Sequence, residues 1–396
     1  MDKKRLFLIS PMLHQGGFER VCVTTARLLE NEYDVSIIIF SDADIAFDIK
    51  GLNIINLDVP AKDGALNKVI NVFKRIIKLK KVKREYRPSV SYSFGPTANL
   101  INVLTKVKGI NVWAGIRSYM DMDMPKLLRL FTKRADKVIC CSKQIASEIK
   151  ELYHCDKIET LYNLYDVNKI KKEAEGEILT WPFGDDKRHT IIAMGRDDDV
   201  KGYWHMIKAF KGAHDICKEA RLVILGDGSF DDYKKLVKDL KIENEVFFAG
   251  MRTDPYKYLK RSGIYAMTSY NEGFPNSLVE GMALGLACIS TNCKTGPAEI
   301  LISDNDISVS KADALIDKAE NGIYKADYGL LIKRMSKEKD LSLEIKDELT
   351  PLTKAFIMLL TNDEIYEKYS NASIMRASEF SYEAYKKNII DYIENK

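Results

Sequence analysis

Nowhere does this 396-residue chain approach the roughly 18 consecutive apolar residues of a membrane-spanning helix, so a bilayer-crossing protein is not expected. Its opening, Met1-Asp2-Lys3-Lys4-Arg5, has the charge of a signal-peptide start. The apolar run behind it, Leu6–Ile9, stops at Ser10-Pro11, too short for the hydrophobic region of a leader. No CxxC pair occurs. The seven cysteines (Cys22, Cys140, Cys141, Cys155, Cys217, Cys288 and Cys293) are odd in number and scattered, which argues against a disulfide framework or zinc site. They read as reduced thiols of a cytoplasmic protein. Charge of one sign is also lacking: 61 basic side chains face 57 acidic ones, giving no general case for nucleic-acid binding.

What is present is the material of an ordinary globular protein, 46% hydrophobic and 30% charged. The length predicts two to three domains at about 150 residues each. Short apolar runs alternate with longer amphipathic segments. Leu6–Ile9, Val35–Phe40, Ile54–Leu57, Val90–Ser93, Asn111–Ala114 and Lys137–Cys141 read as strands, with a helix near Phe18–Glu30 and helical pattern after the later ones. Strands alternating with helices predict βαβ units on a parallel sheet.

Glu173–Lys187, punctuated by Gly176, Pro182 and Gly184, interrupts that rhythm and is read as the domain boundary. Beyond it the alternation restarts with strands Thr190–Met194, Arg221–Leu225, Glu245–Phe248, Ile264–Met267 and Ala287–Ser290. The fold class is therefore α/β, with two doubly wound Rossmann-like domains and a ligand cleft expected between them. The expected domains are 1–172, 188–375 and a C-terminal helix at 376–396 returning to the first domain. The segment 312–363 is polar and weakly periodic, and reads as helices and loops.

The richest stretch is Tyr270-Asn271-Glu272-Gly273-Phe274-Pro275-Asn276-Ser277-Leu278-Val279-Glu280. The spacing predicts Glu272 at a strand end and Glu280 on the first turn of a helix Ser277–Leu284. A helix N-terminus suits a diphosphate, and carboxylates accept hydrogen bonds from sugar hydroxyls. Equally, Ser277-x-x-Glu280 has the form of a capping box, in which Glu280 closes the helix end, and Glu272 can be a solvated loop acid.

Gly195-Arg196-Asp197-Asp198-Asp199-Val200-Lys201-Gly202 follows another strand. Its Arg196 fork and Lys201 point charge suit two phosphates, although both can instead pair with the adjacent aspartates. A third strand-to-helix loop carries Gly16-Gly17, which permits close backbone approach. It is not GxGxxG, and no acidic residue sits at the ribose distance, so a nicotinamide dinucleotide site is not expected. Gly226-Asp227-Gly228 is a similar turn that reads equally as a plain connection.

Together these segments resemble family 4 of the glycosyltransferases, a large retaining family of GT-B fold. Glu272–Glu280 is similar to its E-x7-E signature, Gly195-Arg196 with Lys201-Gly202 to its phosphate loop, and Gly16-Gly17-Phe18-Glu19-Arg20 to its N-terminal segment. Gly226-Asp227-Gly228 and Thr295-Gly296-Pro297-Ala298-Glu299-Ile300 fall in the order that family shows, and the likeness spans Leu6 to Ile300.

The resemblance implies transfer of a hexose-type sugar from a nucleotide diphosphate, UDP ahead of GDP, to a glycan or polyprenyl-diphosphate-linked acceptor. That step would serve cell-surface polysaccharide assembly, capsule included. Glu272 would face the donor sugar, Glu280 would hold the ribose, and Arg196 and Lys201 would neutralise the diphosphate. Further donor contacts are implied at Gly16, Gly17, Gly226, Gly228, Arg252, Phe274, Pro275, Asn276, Ser277 and Leu278. No metal or other cofactor is expected. Where many relatives carry a histidine near the sugar, this chain has Gly115-Ile116-Arg117, so Arg117 is a candidate substitute or a structural arginine.

The segment from Lys68 to Pro88 is locally basic, with Lys74, Arg75, Lys78, Lys80, Lys81, Lys83, Arg84 and Arg87 against Glu85. Apolar residues are interleaved at helical spacing. It suits docking on an anionic membrane, hence a place on the inner face of the plasma membrane, or a core-facing helix with a solvated basic face. Rival functions are a GT-B nucleotide-sugar epimerase and a non-catalytic sugar-nucleotide binder. A metal-dependent GT-A transferase is a third, using Asp121-Met122-Asp123 or Asp197-Asp198-Asp199.

Overall fold

The structure, a computed structural model, describes residues 3–14, 16–61, 64–178, 180–304 and 307–395. Met1 and Asp2 of the leader-like opening and Gln15 of the glycine loop lie outside the described residues. Two compact units divide the chain: residues 1–164 with 382–396, and residues 165–381.

The first unit is built on β1 (Arg5–Ser10), β2 (Asp34–Ile39), β3 (Asn53–Asn56), β4 (Val90–Phe94), β5 (Asn111–Ile116), β6 (Lys137–Cys140) and β7 (Ile158–Thr160). They form one sheet in the order β3-β2-β1-β4-β5-β6-β7, every pairing parallel. Helices cover both faces of such a sheet, which is why its central strands are continuous apolar runs. In β1 every residue after Arg5 is buried.

The second unit repeats the plan with β8 (Thr190–Met194), β9 (Arg221–Leu225), β10 (Val246–Gly250), β11 (Ile264–Met267), β12 (Ala287–Thr291), β13 (Ile323–Lys325) and β14 (Leu330–Ile332). Their order is β10-β9-β8-β11-β12-β14-β13, with only the β13–β14 pair antiparallel among the described strands. In each sheet the strand order reverses beside the first strand, between β1 and β4 and between β8 and β11. Ligands of open α/β sheets bind at such switch points.

Several boundaries differ from those expected. The division falls at Leu164, ahead of the Glu173–Lys187 stretch. The helix Val167–Glu173 lies in the second unit with Ile170 buried, and Trp181 packs on Phe183 and Tyr258 there. Two aromatic anchors thus fasten a segment whose glycines and proline suggest a linker. At the other end the helix Asp363–Ser378 stays with the second unit. The helix Tyr382–Glu394 joins the first, where Tyr385, Ile389 and Ile393 enter the core with Leu6, Leu8 and Val21. The segment 312–363 holds β13, β14 and the core helix Thr350–Thr361, which buries Leu352, Phe356, Leu359 and Leu360. Its polar average conceals those short apolar pieces.

The basic segment is the helix Ala65–Tyr86. Its inner face buries Leu79, while Arg75 donates to Val59 O at 3.0 and 2.8 Å and Lys78 to Leu57 O at 2.6 Å. Lys83 is wholly buried, donating to Asn102 Oδ1 at 2.6 Å and Thr105 Oγ1 at 3.0 Å. The core-facing reading holds for Val72, Ile76, Leu79 and Val82, which pack inward, and for Lys74, Lys81, Arg84 and Arg87, which are exposed. Three of its cations are engaged inward, and Val69, Ile70, Phe73 and Ile77 stand exposed.

Candidate functional site

Three turns at the carboxyl ends of β8, β9 and β11 meet in the second unit. The turn after β8 is bound to the one after β9: Gly195 N–H donates to Leu225 O at 2.9 Å and Asp197 N–H to Asp227 O at 2.7 Å. A side chain at Gly226 would overlap the Gly195 carbonyl, and Gly228 lies against Asp197. Gly226 is therefore required by the close approach of two backbones, and Gly228 by its φ of 134° and the Asp197 side chain against it.

Asp198 then caps a short turn, accepting from Val200 N–H at 3.0 Å, and Gly202 ends it at a φ of 61° with its α-carbon beside Thr268 O. That geometry turns Lys201 toward the strand next door. Its Nζ lies 2.8 Å from Glu272 Oε1, both side chains being largely buried. Thr268 Oγ1 donates to Lys201 O at 2.7 Å, and Thr295 Oγ1 to the Glu272 carbonyl, so both backbones are held.

The helix after Glu272 is Asn276–Ala283, with Pro275 at its N-cap. No side chain caps its first turn. The capping-box reading fails on this point: Ser277 lies inside the helix, where its Oγ accepts from Tyr265 OH at 2.6 Å, and Glu280 falls in the second turn. Glu280 is nonetheless 4% exposed, with Tyr256 OH donating to its Oε1 at 3.3 Å. Phe274 packs edge-on against Phe380 at 5.4 Å, and Asn276 Oδ1 accepts from Tyr165 OH at 2.6 Å. Pro275 and Leu278 are buried supports.

Not every candidate joins this group. The Arg196 side chain is 79% exposed, and among the described residues its one ion-pair partner is Asp198, at 3.8 Å. In the first unit, Gly16 precedes the helix Gly17–Leu29, and its open side is filled by the Glu19 carboxylate. Arg117 is half-buried, donating to Leu161 O at 3.2 Å and to Asn163 Oδ1. Its backbone N–H donates to Asp121 Oδ2 at 3.1 Å.

Sequence reasoning missed Tyr256 and three buried atoms in the loops of the second unit that have no partner among the described residues: Arg252 Nε, Ser269 Oγ and Asn271 Oδ1. Arg252 is a donor-contact candidate from the family resemblance, but its orphaned Nε is visible only in three dimensions. In the sequence Glu19 stands out only as a member of the Gly16–Arg20 segment. It is buried with Oε2 unpartnered, and burial raises its carboxyl pKa.

Asp121 and the Asp197–Asp199 run are engaged within the protein. Asp121 accepts from the Arg117 and Ser118 amides, Asp197 accepts from Phe230 N–H at 2.8 Å, and Asp199 pairs with Lys339 at 3.0 Å. No cluster of three or more His, Cys, Asp or Glu placed to hold a metal occurs among the described residues. All seven cysteines are buried and free. No described helix is long and apolar enough to cross a membrane.

Two doubly wound sheets thus place a cation–carboxylate pair at the second switch point, where open α/β sheets bind their ligands. The comparisons agree: the Glycosyltransferase Family 4 model matches residues 15–169, and that of Glycosyl transferases group 1 matches residues 182–326. An uncharacterised glycosyltransferase of Methanocaldococcus jannaschii is 30% identical over 340 residues, covering 79% of this chain and 80% of its own. An undecaprenol-diphosphate-linked 4-α-N-acetylgalactosaminyltransferase of Campylobacter jejuni is 26% identical, over 90% of this chain and 96% of its own. Among solved structures, HepE of Anabaena, in complex with UDP and glucose, covers all of both chains at a TM-score of 0.71 and 16% identity, a likeness of fold. The chain belongs to the family 4 glycosyltransferases, and its fold is GT-B. The GT-A alternative is thereby overturned.

Proposed function

We propose that this protein is a retaining, metal-independent glycosyltransferase that takes a hexose-type sugar from a UDP-sugar. The observation that carries this reading is the Lys201–Glu272 pair at the β8–β11 switch point, with the buried Glu280 on the helix that follows. Lys201 and the N-terminus of the helix Asn276–Ala283 face the charge growing on the diphosphate. Arg196, exposed and close to that loop, closes onto the same phosphates. Glu280 takes the ribose hydroxyls, and the buried loop atoms of Arg252, Ser269 and Asn271 add polar contacts to the donor.

The bond from the anomeric carbon to the β-phosphate oxygen breaks as the acceptor oxygen bonds on the same face. The acceptor proton passes to the departing phosphate, which leaves as a nucleoside diphosphate. Lys201 stabilises that leaving group electrostatically, and Glu272 orients the sugar. The test is a thermal-shift titration with UDP and GDP, with and without chelator, followed by product stereochemistry by NMR. Saturation at about a hundred times Kd should add roughly 2.7 kcal/mol of stability. An inverted product or a shift that needs metal would sink the mechanism. A changed nucleotide sugar without acceptor would favour an epimerase.

The acceptor we propose is a glycan on a polyprenyl diphosphate, as the activity of the Campylobacter relative suggests. The helix Ala65–Tyr86 supports a membrane-surface location. Ile70, Phe73, Lys74, Ile77, Lys81 and Arg84 share one exposed stripe at helical spacing, apolar at one end and basic at the other. That arrangement fits an anionic bilayer, each basic residue near the surface adding about 1 kcal/mol. Phe73→Ser with Ile77→Ser should abolish co-flotation with phosphatidylglycerol vesicles. Undiminished flotation of that variant would remove this helix from the account.

A further inference from the structure

Between β14 and the helix Thr350–Thr361 the chain runs as a strongly charged strap, residues 333–349. Met335 and Leu349 tie its two ends into the core. Between them it is latched to the helix Tyr203–Ile216, which starts directly after Lys201 and Gly202. His205 Nε2–H donates to Ser336 O at 2.8 Å. Lys208, 1% exposed, pairs with Asp340 at 3.1 Å. Lys346 approaches the same carboxylate at 3.0 Å. A lysine so buried requires its counter-ion, so the strap is anchored where it passes that helix.

From this anchorage the strap reaches both loops of the donor site. Lys339 Nζ bridges Asp199 at 3.0 Å and Asp232 at 2.9 Å and lies 5.0 Å over the Tyr233 ring. Tyr233 OH itself donates to Asp199 at 3.3 Å. Lys337 Nζ lies 5.7 Å over the ring of Tyr270. Asp199 is two residues before Lys201, and Tyr270 two before Glu272, so the strap grips both sides of the ion pair one step back from it.

We propose that this strap is a positioning clamp for the donor-phosphate loop, with Lys339 as the positioning residue that fixes Asp199 and through it the aim of Lys201. The proposal rests on the donor-site reading above for its catalytic consequence. The clamp itself is independent of that reading. Fixing a charged side chain in advance lowers the ordering cost of binding, so the effect should appear in donor affinity.

The experiment compares the full chain with Lys339→Met, Lys339→Gln and Lys339→Arg. Amide hydrogen exchange is followed at residues 198–202, and KM and kcat are measured with the nucleotide sugar that the ligand screen selects. Exchange at 198–202 should quicken, and donor KM rise, by about two- to fivefold in the Met and Gln variants, the size expected for one partly exposed ion pair. Exchange elsewhere and kcat should hardly move, and Arg should restore both readouts. Unchanged exchange at 198–202 overturns the clamp. So does a uniform rise in exchange across the second unit with KM unaltered, since that is a merely structural effect. Should the wild type bind no nucleotide, the donor-site reading fails, and the exchange comparison alone still decides the clamp.

Discussion

Lys201 and Glu272 illustrate how a site residue can be chosen by sequence and yet be understood only in space. Each stands in a short motif, but their contact follows from β8 and β11 being neighbours in the sheet, with Ile191 beside Ile264. Pairing between strands distant in the chain leaves no mark in either motif. Lys201→Ala should lower kcat by about a hundred- to a thousandfold, as removal of one electrostatic stabiliser does, while circular dichroism stays unchanged. Full turnover would dismiss the phosphate role.

Glu280 allows a sharper division of effects. It is buried but caps nothing, so Glu280→Gln should weaken UDP binding by roughly tenfold in calorimetry, one charge-assisted hydrogen bond's worth. The melting temperature should fall little. A large stability loss with unaltered affinity would make it a structural carboxylate. Gly226→Ala tests packing instead. Its new methyl meets the Gly195 carbonyl, so the turn carrying Arg196 and Lys201 must shift, costing about 1–3 kcal/mol of stability.

At the scale of elements, the long central strands were legible because a sheet covered on both faces demands continuous apolar runs. The three-residue strands β7, β13 and β14 were not, since they offer too few positions for any pattern. Ile158-Glu159-Thr160 even carries a charge at its centre. The Ala65–Tyr86 helix was legible as a helix, but not in which cations it hides. Lys83 is the clearest case: burial pushes its pKa down to about 7. An unfolded chain holds that proton up to about pH 10.4, so between 7 and 10 unfolding takes up a proton and stability rises with pH. The stability of wild type relative to Lys83→Met should therefore climb across that window, by at most about 1.4 kcal/mol per pH unit. A flat difference in urea titrations would mean Lys83 stays charged on its Asn102 and Thr105 acceptors.

For the molecule as a whole, the two units are unequal in continuity. The second is one uninterrupted stretch, residues 165–381, whereas the first is closed by the distant helix Tyr382–Glu394. Tyr385 OH shares a hydrogen bond with Thr25 Oγ1 at 2.8 Å, and Lys137 Nζ donates to Tyr392 O at 2.9 Å. Deleting residues 382–396 removes Tyr385, Ile389 and Ile393 from the first core, about 1.5–3 kcal/mol for each large apolar side chain. Limited proteolysis of that truncation should cut within residues 1–164 and spare 165–381. Equal resistance of both would show the helix to be dispensable.

The same detour governs the order in which the protein matures at the ribosome. Residues 165–381 can reach their final packing as they emerge, in the manner of most domains during synthesis. The earlier-made residues 1–164 must wait, with an apolar face uncovered, for a helix translated only after residues 165–381. The half that leaves the ribosome first is therefore the half that finishes last, and during that delay it is the part a chaperone would hold.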